Sequence, residues 1–124
     1  MNNQAKEFLA NCNATMTITY LGCEVNQSWG ENIDHNTYRA TIKTPMGTMW
    51  VKFWDSIHNT QNDCIPDEYS ILACLQKYDV GSFEDFLGEF GYGDRKIYKA
   101  VCREYEKVCR CFTPEQIELL QEIQ

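Results

Sequence analysis

Alternating apolar and polar residues in the first half of the chain predict three β-strands. Alternation of this kind, rich in Thr, Ile, Val and aromatic side chains, is typical of a strand with one buried face. The predicted strands cover residues 15–25, 37–43 and 48–54. Pro45-Met46-Gly47 predicts a tight turn between the last two, because Pro fixes φ and Gly tolerates positive φ. These two strands therefore form an antiparallel hairpin, which the first strand joins as a meander.

The alternation also assigns the side chains to the two faces of the sheet. One face is apolar and needs helices packed against it; it collects Met16, Ile18, Tyr20, Tyr38, Ala40, Ile42, Met49, Val51 and Phe53. The opposite face collects Thr17, Thr19, Arg39, Thr41, Lys43, Trp50, Lys52 and Trp54. Residues 26–36, between the first two strands, are polar, and we expect a loop there.

Apolar residues spaced three or four positions apart in the second half of the chain predict helices. Pro66 opens the first of them at its first helical position. Ser82 and Asp85 form a capping box for the next, and Gly91 ends it. The predicted helices of this half cover residues 66–78, the segment between Ser82 and Gly91, residues 94–111, and the segment from Thr113 onward. One further helix is predicted before the sheet, over residues 2–12.

The length and these elements predict one domain over residues 1–124, of class α+β, with a three-stranded antiparallel sheet followed by a mostly helical C-terminal half. The composition, 44% hydrophobic and 23% charged, is typical of a globular protein. No apolar run reaches the length of a membrane span. The N-terminus has no basic segment followed by an apolar one, so we expect no signal peptide and a cytoplasmic location.

The net charge of −7 opposes non-specific attraction to a phosphate backbone, although a local basic patch can survive it. The excess of acid belongs mostly to the helical half, where residues 67–124 hold 12 acids and 7 bases. A clustered acidic surface can imitate the charge of nucleic acid and occupy a basic channel on a partner. Glu84, Asp85 and Glu89 are the candidate residues for such contacts.

The seven cysteines are odd in number, so they cannot all pair with one another. Without an export signal, reduced thiols in small apolar sites are expected. Cys109 and Cys111 form a CxC, but no CxxC exists, and neither His35 nor His58 has the spacing of a zinc motif. We therefore expect no metal and no cofactor.

Tryptophans interleaved with cations are the most informative feature of the predicted sheet. Trp50, Lys52 and Trp54 alternate along one strand, and Arg39 and Lys43 lie on its neighbour. Aromatic side chains between cations suit base stacking combined with phosphate contact. They also suit a protein-binding hot spot, since Trp and Arg dominate such sites. Helices on both sides of the sheet would instead make the two tryptophans ordinary core residues.

Two other constellations have simple structural explanations. Asp55, Ser56 and His58 contain the residue types of a hydrolytic triad, but a triad is assembled from separate elements and no G-x-S-x-G is present. Polar residues at a strand end more often close a turn. A basic row, Arg95, Lys99, Arg103 and Lys107, is typical of the solvated face of an amphipathic helix, although it could also contact phosphates.

Three segments resemble a group of small proteins encoded by bacterial phages, prophages and mobile elements. The segments are WDSIHNT, PDEYSILACLQKYDVGSFEDFLGEFGY and VCREYEKVCRCFTPEQIELLQEI. The resemblance covers residues 15–124, and its motifs are structural in character. It implies work at the host–phage boundary, where small acidic proteins include CRISPR–Cas inhibitors, and it brings no catalytic residue.

The leading prediction is a non-enzymatic protein that binds and modulates a host protein complex, such as a nucleic-acid-guided nuclease, in the manner of an anti-CRISPR inhibitor. The alternative is an accessory protein that binds single-stranded nucleic acid through the tryptophan–cation face. A third hypothesis, an enzyme centred on Asp55, Ser56 and His58, requires those side chains to share a pocket.

Overall fold

The computed structural model describes residues 3–28, 31–56, 67–91 and 93–124, and it describes no side chain of residues 24–35 or 54–56. The elements in these residues are α1 Gln4–Asn11, β1 Thr15–Ser28, β2 Glu31–Thr44, β3 Gly47–Ser56, α2 Glu68–Gln76, α3 Phe83–Phe90, α4 Arg95–Cys111 and α5 Pro114–Gln121. No helix among the described residues is both long enough and apolar enough to cross a bilayer.

The three strands form an antiparallel sheet in the order β1-β2-β3, and the C-terminal helices follow it. The chain is therefore α+β, which confirms the predicted fold class. Ile18 pairs with Ala40, which pairs in turn with Val51, so these apolar positions lie side by side across the sheet. The register confirms the two faces assigned from the alternation, because directly opposed residues share a face.

The predicted loop over residues 26–36 is wrong, because β1 and β2 continue their ladder through most of it. Val25 pairs with Asp34, and Ser28 pairs with Glu31. Ladder hydrogen bonds join backbone groups, which every non-proline residue carries, so polar composition does not by itself end a strand. The β1–β2 hairpin extends beyond the end of β3, where Ser56 pairs with His35.

A β-bulge interrupts β1 at Leu21. Tyr20 pairs with Tyr38 and Gly22 pairs with Thr37, which leaves Leu21 as an extra residue between them. Gly22 has a φ of +122°, a conformation that favours glycine. The buried Thr37 hydroxyl donates a hydrogen bond of 2.8 Å to the Gly22 carbonyl oxygen. The bulge divides β1 into two regular stretches, residues 15–20 and residues 22–28.

The helices pack against the apolar face of the sheet and bury its centre. The largest fully buried apolar side chains include Ile42 of the sheet together with Ile71, Leu72, Leu75, Phe86, Val108, Phe112 and Leu120 of the helical half. Met16 and Ile18 are partly buried against this core. Tyr20 lies on this face too, opposite Tyr38 in the ladder, but it is 57% exposed. Its ring packs on the Tyr38 ring at 5.4 Å, and its hydroxyl donates a hydrogen bond to the Asn36 side chain.

Local capping sequences determine where the helices begin. Ser82 with Asp85, and Thr113 with Gln116, form reciprocal capping boxes, the first of which confirms the prediction. The prediction that Pro66 is the first helical residue of α2 is wrong, because Asp67 is the N-cap and α2 begins after it. Pro66 itself lies outside the described residues. The Asp67 carboxylate accepts a hydrogen bond from the backbone N–H of Ser70, which satisfies a donor that the helix leaves free.

Candidate functional site

The sheet face opposite the helices is open to solvent, and we call it the basic face. Nine described side chains form its accessible part: Thr15, Thr17, Thr19, Arg39, Thr41, Lys43, Thr48, Trp50 and Lys52. Eight of these nine are exposed and Thr41 is half-buried, whereas Thr37, the next residue of β2 on the same side of the sheet, is buried. The helices therefore cover only one side of the sheet, so the possibility that Trp50 is an ordinary core residue does not hold.

Trp50 lies at the centre of the basic face with 61% of its surface exposed. Its cross-strand partner is Thr41, a short side chain that leaves the ring accessible. The guanidinium carbon of Arg39 lies 5.8 Å from the centre of the Trp50 ring, within the range of a cation–π contact. Lys52 pairs directly with Arg39 across the two strands. The arrangement presents one aromatic surface with two cations beside it.

The described charges on the basic face are all positive. Arg39, Lys43 and Lys52 contribute them, and none of the nine described positions is acidic. The whole chain carries a net charge of −7. Most of the acidic residues belong to the helical half, which packs against the other side of the sheet. A positive field over an aromatic ring can attract an anionic ligand that also has an aromatic or planar part.

The remaining predicted binding residues do not join this face. Glu84, Asp85 and Glu89 lie on α3, and all three are exposed. The Asp85 carboxylate accepts a hydrogen bond from the backbone N–H of Ser82 at 3.2 Å, so part of its role is to cap α3. The side chain of Trp54 lies outside the described part of the structure, although its backbone pairs with Thr37.

The basic row on α4 is partly engaged in contacts within the protein. Lys107 forms an ion pair of 3.0 Å with Glu104. The guanidinium of Arg95 lies 4.2 Å from the centre of the Phe83 ring. These contacts support the interpretation of the row as a solvated helix face that also holds α3 against α4.

The residues that suggested a catalytic or metal site lie mostly outside the described part of the structure. His58 falls outside the described residues, as do the side chains of Asp55, Ser56 and His35. Within the part of the chain that the structure describes, no group of three His, Cys, Asp or Glu side chains could hold a metal. Cys12 and Cys111 are buried in the core, whereas Cys23 and Cys109 are exposed.

A groove of about 610 Å³ lies along α4 and α5, remote from the basic face. Tyr105, Cys109 and Phe112 line it, and its carboxylates come from Asp79, Glu118 and Glu122. Burial raises the pKa of Tyr105, and the nearby Asp79 carboxylate raises it further. An acidic lining of this kind disfavours an anionic occupant.

The sequence prediction of the basic face missed Thr15 and Thr48 at one end of it. Both pair with Lys43 in the ladder, and both are exposed. The signal was available, since each continues the alternation of its strand toward its N-terminal end. Their omission has little effect on the chemistry, because neither adds charge.

Comparison with known proteins yields no relative. No model of a protein family matches the chain, and no curated protein and no solved structure matches it. The resemblance to small phage and mobile-element proteins therefore stays a prediction. Fold and site alone define the class: an α+β protein with helices on one side of its sheet and an open basic face on the other.

Proposed function

We propose that this protein binds single-stranded nucleic acid through the basic face. The observation that carries the proposal is the exposure of Trp50 among Arg39, Lys43 and Lys52 on an uncovered sheet. An open sheet that presents an aromatic ring to bases and cations to the backbone is a recurring solution for single-stranded ligands. Duplex DNA fits less well, because its bases are stacked inside and cannot reach the ring.

The roles of the four side chains follow from their positions. Trp50 stacks on an unpaired base, a contact worth about 1–3 kcal/mol and tolerant of base identity. Arg39, beside the ring at 5.8 Å, contacts the phosphate of the stacked nucleotide. Lys43 and Lys52 lie on two neighbouring strands and neutralise flanking phosphates. No acid on the described basic face opposes the approach of the backbone.

Binding can be measured from the anisotropy of a labelled oligothymidylate and from tryptophan fluorescence. The unmodified protein should bind at low salt and lose affinity as salt rises, because phosphate contacts release counterions. Trp50→Ala should weaken binding by about tenfold to a hundredfold, the cost of one stacked base. Lys43→Glu should weaken binding and also reduce the salt dependence.

Arg103→Glu is the matched control for these variants. Arg103 is an exposed cation on α4, so its reversal makes the same change in net charge as Lys43→Glu on the other side of the sheet from the basic face. We expect Arg103→Glu to bind nearly as well as the unmodified protein. An equal loss in Arg103→Glu, or no binding by any sample at low salt, would overturn the proposal.

Binding to a host protein complex is the second candidate function, and the exposed carboxylates on α3 favour it. Glu84 and Glu89 are exposed on this short helix, in the half of the chain where acids exceed bases. Such a surface could occupy a basic nucleic-acid channel on a nuclease, in the manner of an anti-CRISPR inhibitor.

Affinity capture from a bacterial lysate tests this second candidate. A specific partner should be retained by the unmodified protein and lost when Glu84→Gln and Glu89→Gln are combined. The matched control combines Glu115→Gln with Glu118→Gln, two exposed carboxylates of α5. Capture of no specific partner, or equal loss in the control, would count against the second candidate.

A further inference from the structure

We infer that the outer edge of β1 pairs with β1 of a second copy of this chain and forms a dimer. In the described part of the structure β1 has β2 on one side and no strand on the other. Edge strands usually avoid such pairing by carrying charges, prolines or bulges. Residues 15–20 carry none of these, whereas β3, at the opposite edge, carries Lys52 and Asp55.

The sequence of this edge is complementary to itself. Directly opposed residues of an antiparallel pair point to the same face, so a symmetric pair must place threonines against threonines. With Thr17 opposite Thr17 of the second copy, Thr15 lies opposite Thr19, and Met16 lies opposite Ile18. If Ile18 lies opposite Ile18 instead, Thr17 lies opposite Thr19 and Met16 lies opposite Tyr20, so like side chains again face each other. Both kinds of cross-strand pair stabilise a sheet.

Exposed apolar surface lies along this same strand. Tyr20 is 57% exposed and Leu21 is 43% exposed, and they are neighbours in β1. Met16 and Ile18 are only partly buried, because the helices of one copy do not reach fully over the edge. The second copy would extend the sheet and bring its own apolar face beside these side chains.

The bulge and the absence of charge on residues 15–20 favour a second copy of β1 as the partner of this edge. The bulge at Leu21 ends the first regular stretch of the edge, so pairing centred on Thr17 or Ile18 is confined to residues 15–20. This segment is uncharged, so two copies meet there without a like-charge contact, although each carries a net charge of −7. The symmetry axis is perpendicular to the sheet, which places the two basic faces on the same side.

The dimer would have a six-stranded sheet with β3 at each end. Five strand spacings of about 4.8 Å separate the two outer strands, so the two Trp50 side chains lie about 24 Å apart. This inference does not depend on what the basic face binds, and it can fail or succeed separately from the proposed function.

Sedimentation equilibrium of the purified protein tests the inference directly. The unmodified chain should sediment as a dimer at micromolar concentration. Thr17→Lys places like charges near the symmetry axis and should raise the dissociation constant by about tenfold or more. Thr48→Lys adds the same charge to the same face at the opposite edge, so it should remain dimeric. Both threonines are exposed, and circular dichroism checks that both variants are folded.

A charge-complementation experiment makes the test specific for the interface between the two β1 strands. Thr17→Glu should also be monomeric alone, and mixing it with Thr17→Lys should restore dimers, because opposite charges then face each other. A monomeric unmodified protein overturns the inference. So does a Thr17→Lys variant that dimerises as well as Thr48→Lys, since the dimer would then use another surface.

Discussion

At the scale of single residues, Thr44 connects the sheet to the helical layer. Its hydroxyl donates a hydrogen bond of 2.7 Å to the carbonyl oxygen of Cys111, at the end of α4. The Thr44 hydroxyl oxygen also accepts hydrogen bonds from the backbone N–H groups of Met46 and Gly47, at 3.1 and 3.2 Å. One side chain therefore shapes the β2–β3 turn and satisfies a carbonyl at the C-terminus of a helix.

Replacing Thr44 by Val tests this connection, because Val keeps the shape and removes the hydroxyl. The loss leaves partly buried donors and an acceptor unsatisfied, so we expect a loss of about 1–3 kcal/mol in the free energy of unfolding. Urea unfolding measures it. Thr48→Val, at an exposed position of β3, should change the free energy by less than about 0.5 kcal/mol. Equal effects of the two changes would contradict the role of Thr44.

Tyr78 gives the stability of the protein a dependence on alkaline pH. Burial, with smaller contributions from Glu104 and Cys74, raises the pKa of Tyr78 to about 12, from an ordinary value of 10.0. In the unfolded chain the phenol loses its proton near pH 10, while in the folded protein it keeps it until about pH 12. The free energy of unfolding should therefore fall between these two pH values.

The variant Tyr78→Phe removes this titration. Relative to its own value at pH 9, the variant should lose less stability than the unmodified protein by pH 11.5, by about 1–2 kcal/mol after allowance for partial exposure. Urea unfolding at a series of pH values measures the difference. Part of the slope should remain in the variant, since the pKa of Tyr105 is also raised. Parallel pH profiles for the two proteins would contradict the assignment.

At the scale of the elements, α3 shows how local sequence determines a helix. Ser82 and Asp85 cap its beginning, and Gly91 ends it with a φ of +69°. These signals act between residues at most a few positions apart, so the sequence alone predicted both ends. The Pro66 prediction was wrong although it used the same kind of rule, because Asp67 caps α2 through Ser70 and displaces the start.

Two Gly→Ala changes in this helix should have opposite effects. Gly88 lies inside α3, and a methyl group there would meet no atom within 4 Å. Gly88→Ala should raise the free energy of unfolding by about 0.5–1 kcal/mol, because Ala loses less entropy in a helix. Gly91→Ala should lower it by about 1 kcal/mol, since its positive φ strains any residue with a Cβ. Urea unfolding distinguishes them, and changes of the same sign would contradict this account.

The long β1–β2 hairpin shows where sequence reasoning about elements reaches its limit. Apolar alternation marks a strand only where one face is buried, and the pattern ends near Val25. The ladder continues to Ser28, because backbone pairing needs no apolar side chain. A polar composition therefore indicates that a segment has no buried face, but it does not show whether the backbone forms a strand or a loop.

At the scale of the whole molecule, one core joins the sheet to the helices. Ile42 and Val51 of the sheet lie in the same buried cluster as Leu72 of α2 and Val108 of α4. All three tryptophans lie between residues 29 and 54, whereas the helical signal comes mainly from the second half. Tryptophan fluorescence and circular dichroism therefore observe different halves of one packed unit.

We expect the two signals to report a single urea transition, because the halves share their core. Leu72→Ala should lower the free energy of unfolding by about 2–5 kcal/mol and shift both transitions equally, although the change lies in a helix. Leu119→Ala, at a side chain that is 51% exposed, should have little effect. Separate midpoints for fluorescence and circular dichroism would show that the halves unfold independently.

The sequence predicted which residues share the basic face, but it did not predict whether that face is exposed to solvent. Alternation placed Arg39, Lys43, Trp50 and Lys52 on one face, and the register confirms it. Whether helices cover one side of the sheet or both depends on how distant segments pack, and no local pattern contains that information. The exposure of Trp50 is therefore a fact of the tertiary structure.

The position of the cations on one side of an acidic molecule gives it an electric dipole moment. At low ionic strength, where the Debye length is about 30 Å, the field of this dipole reaches far from the surface and turns the basic face toward an approaching anionic ligand, although the net charge is −7. Near physiological ionic strength the Debye length is about 8 Å, so a ligand close to Arg39 and Lys52 experiences mainly their field. Added salt shortens the range of this field, so the association rate with such a ligand should fall as salt rises.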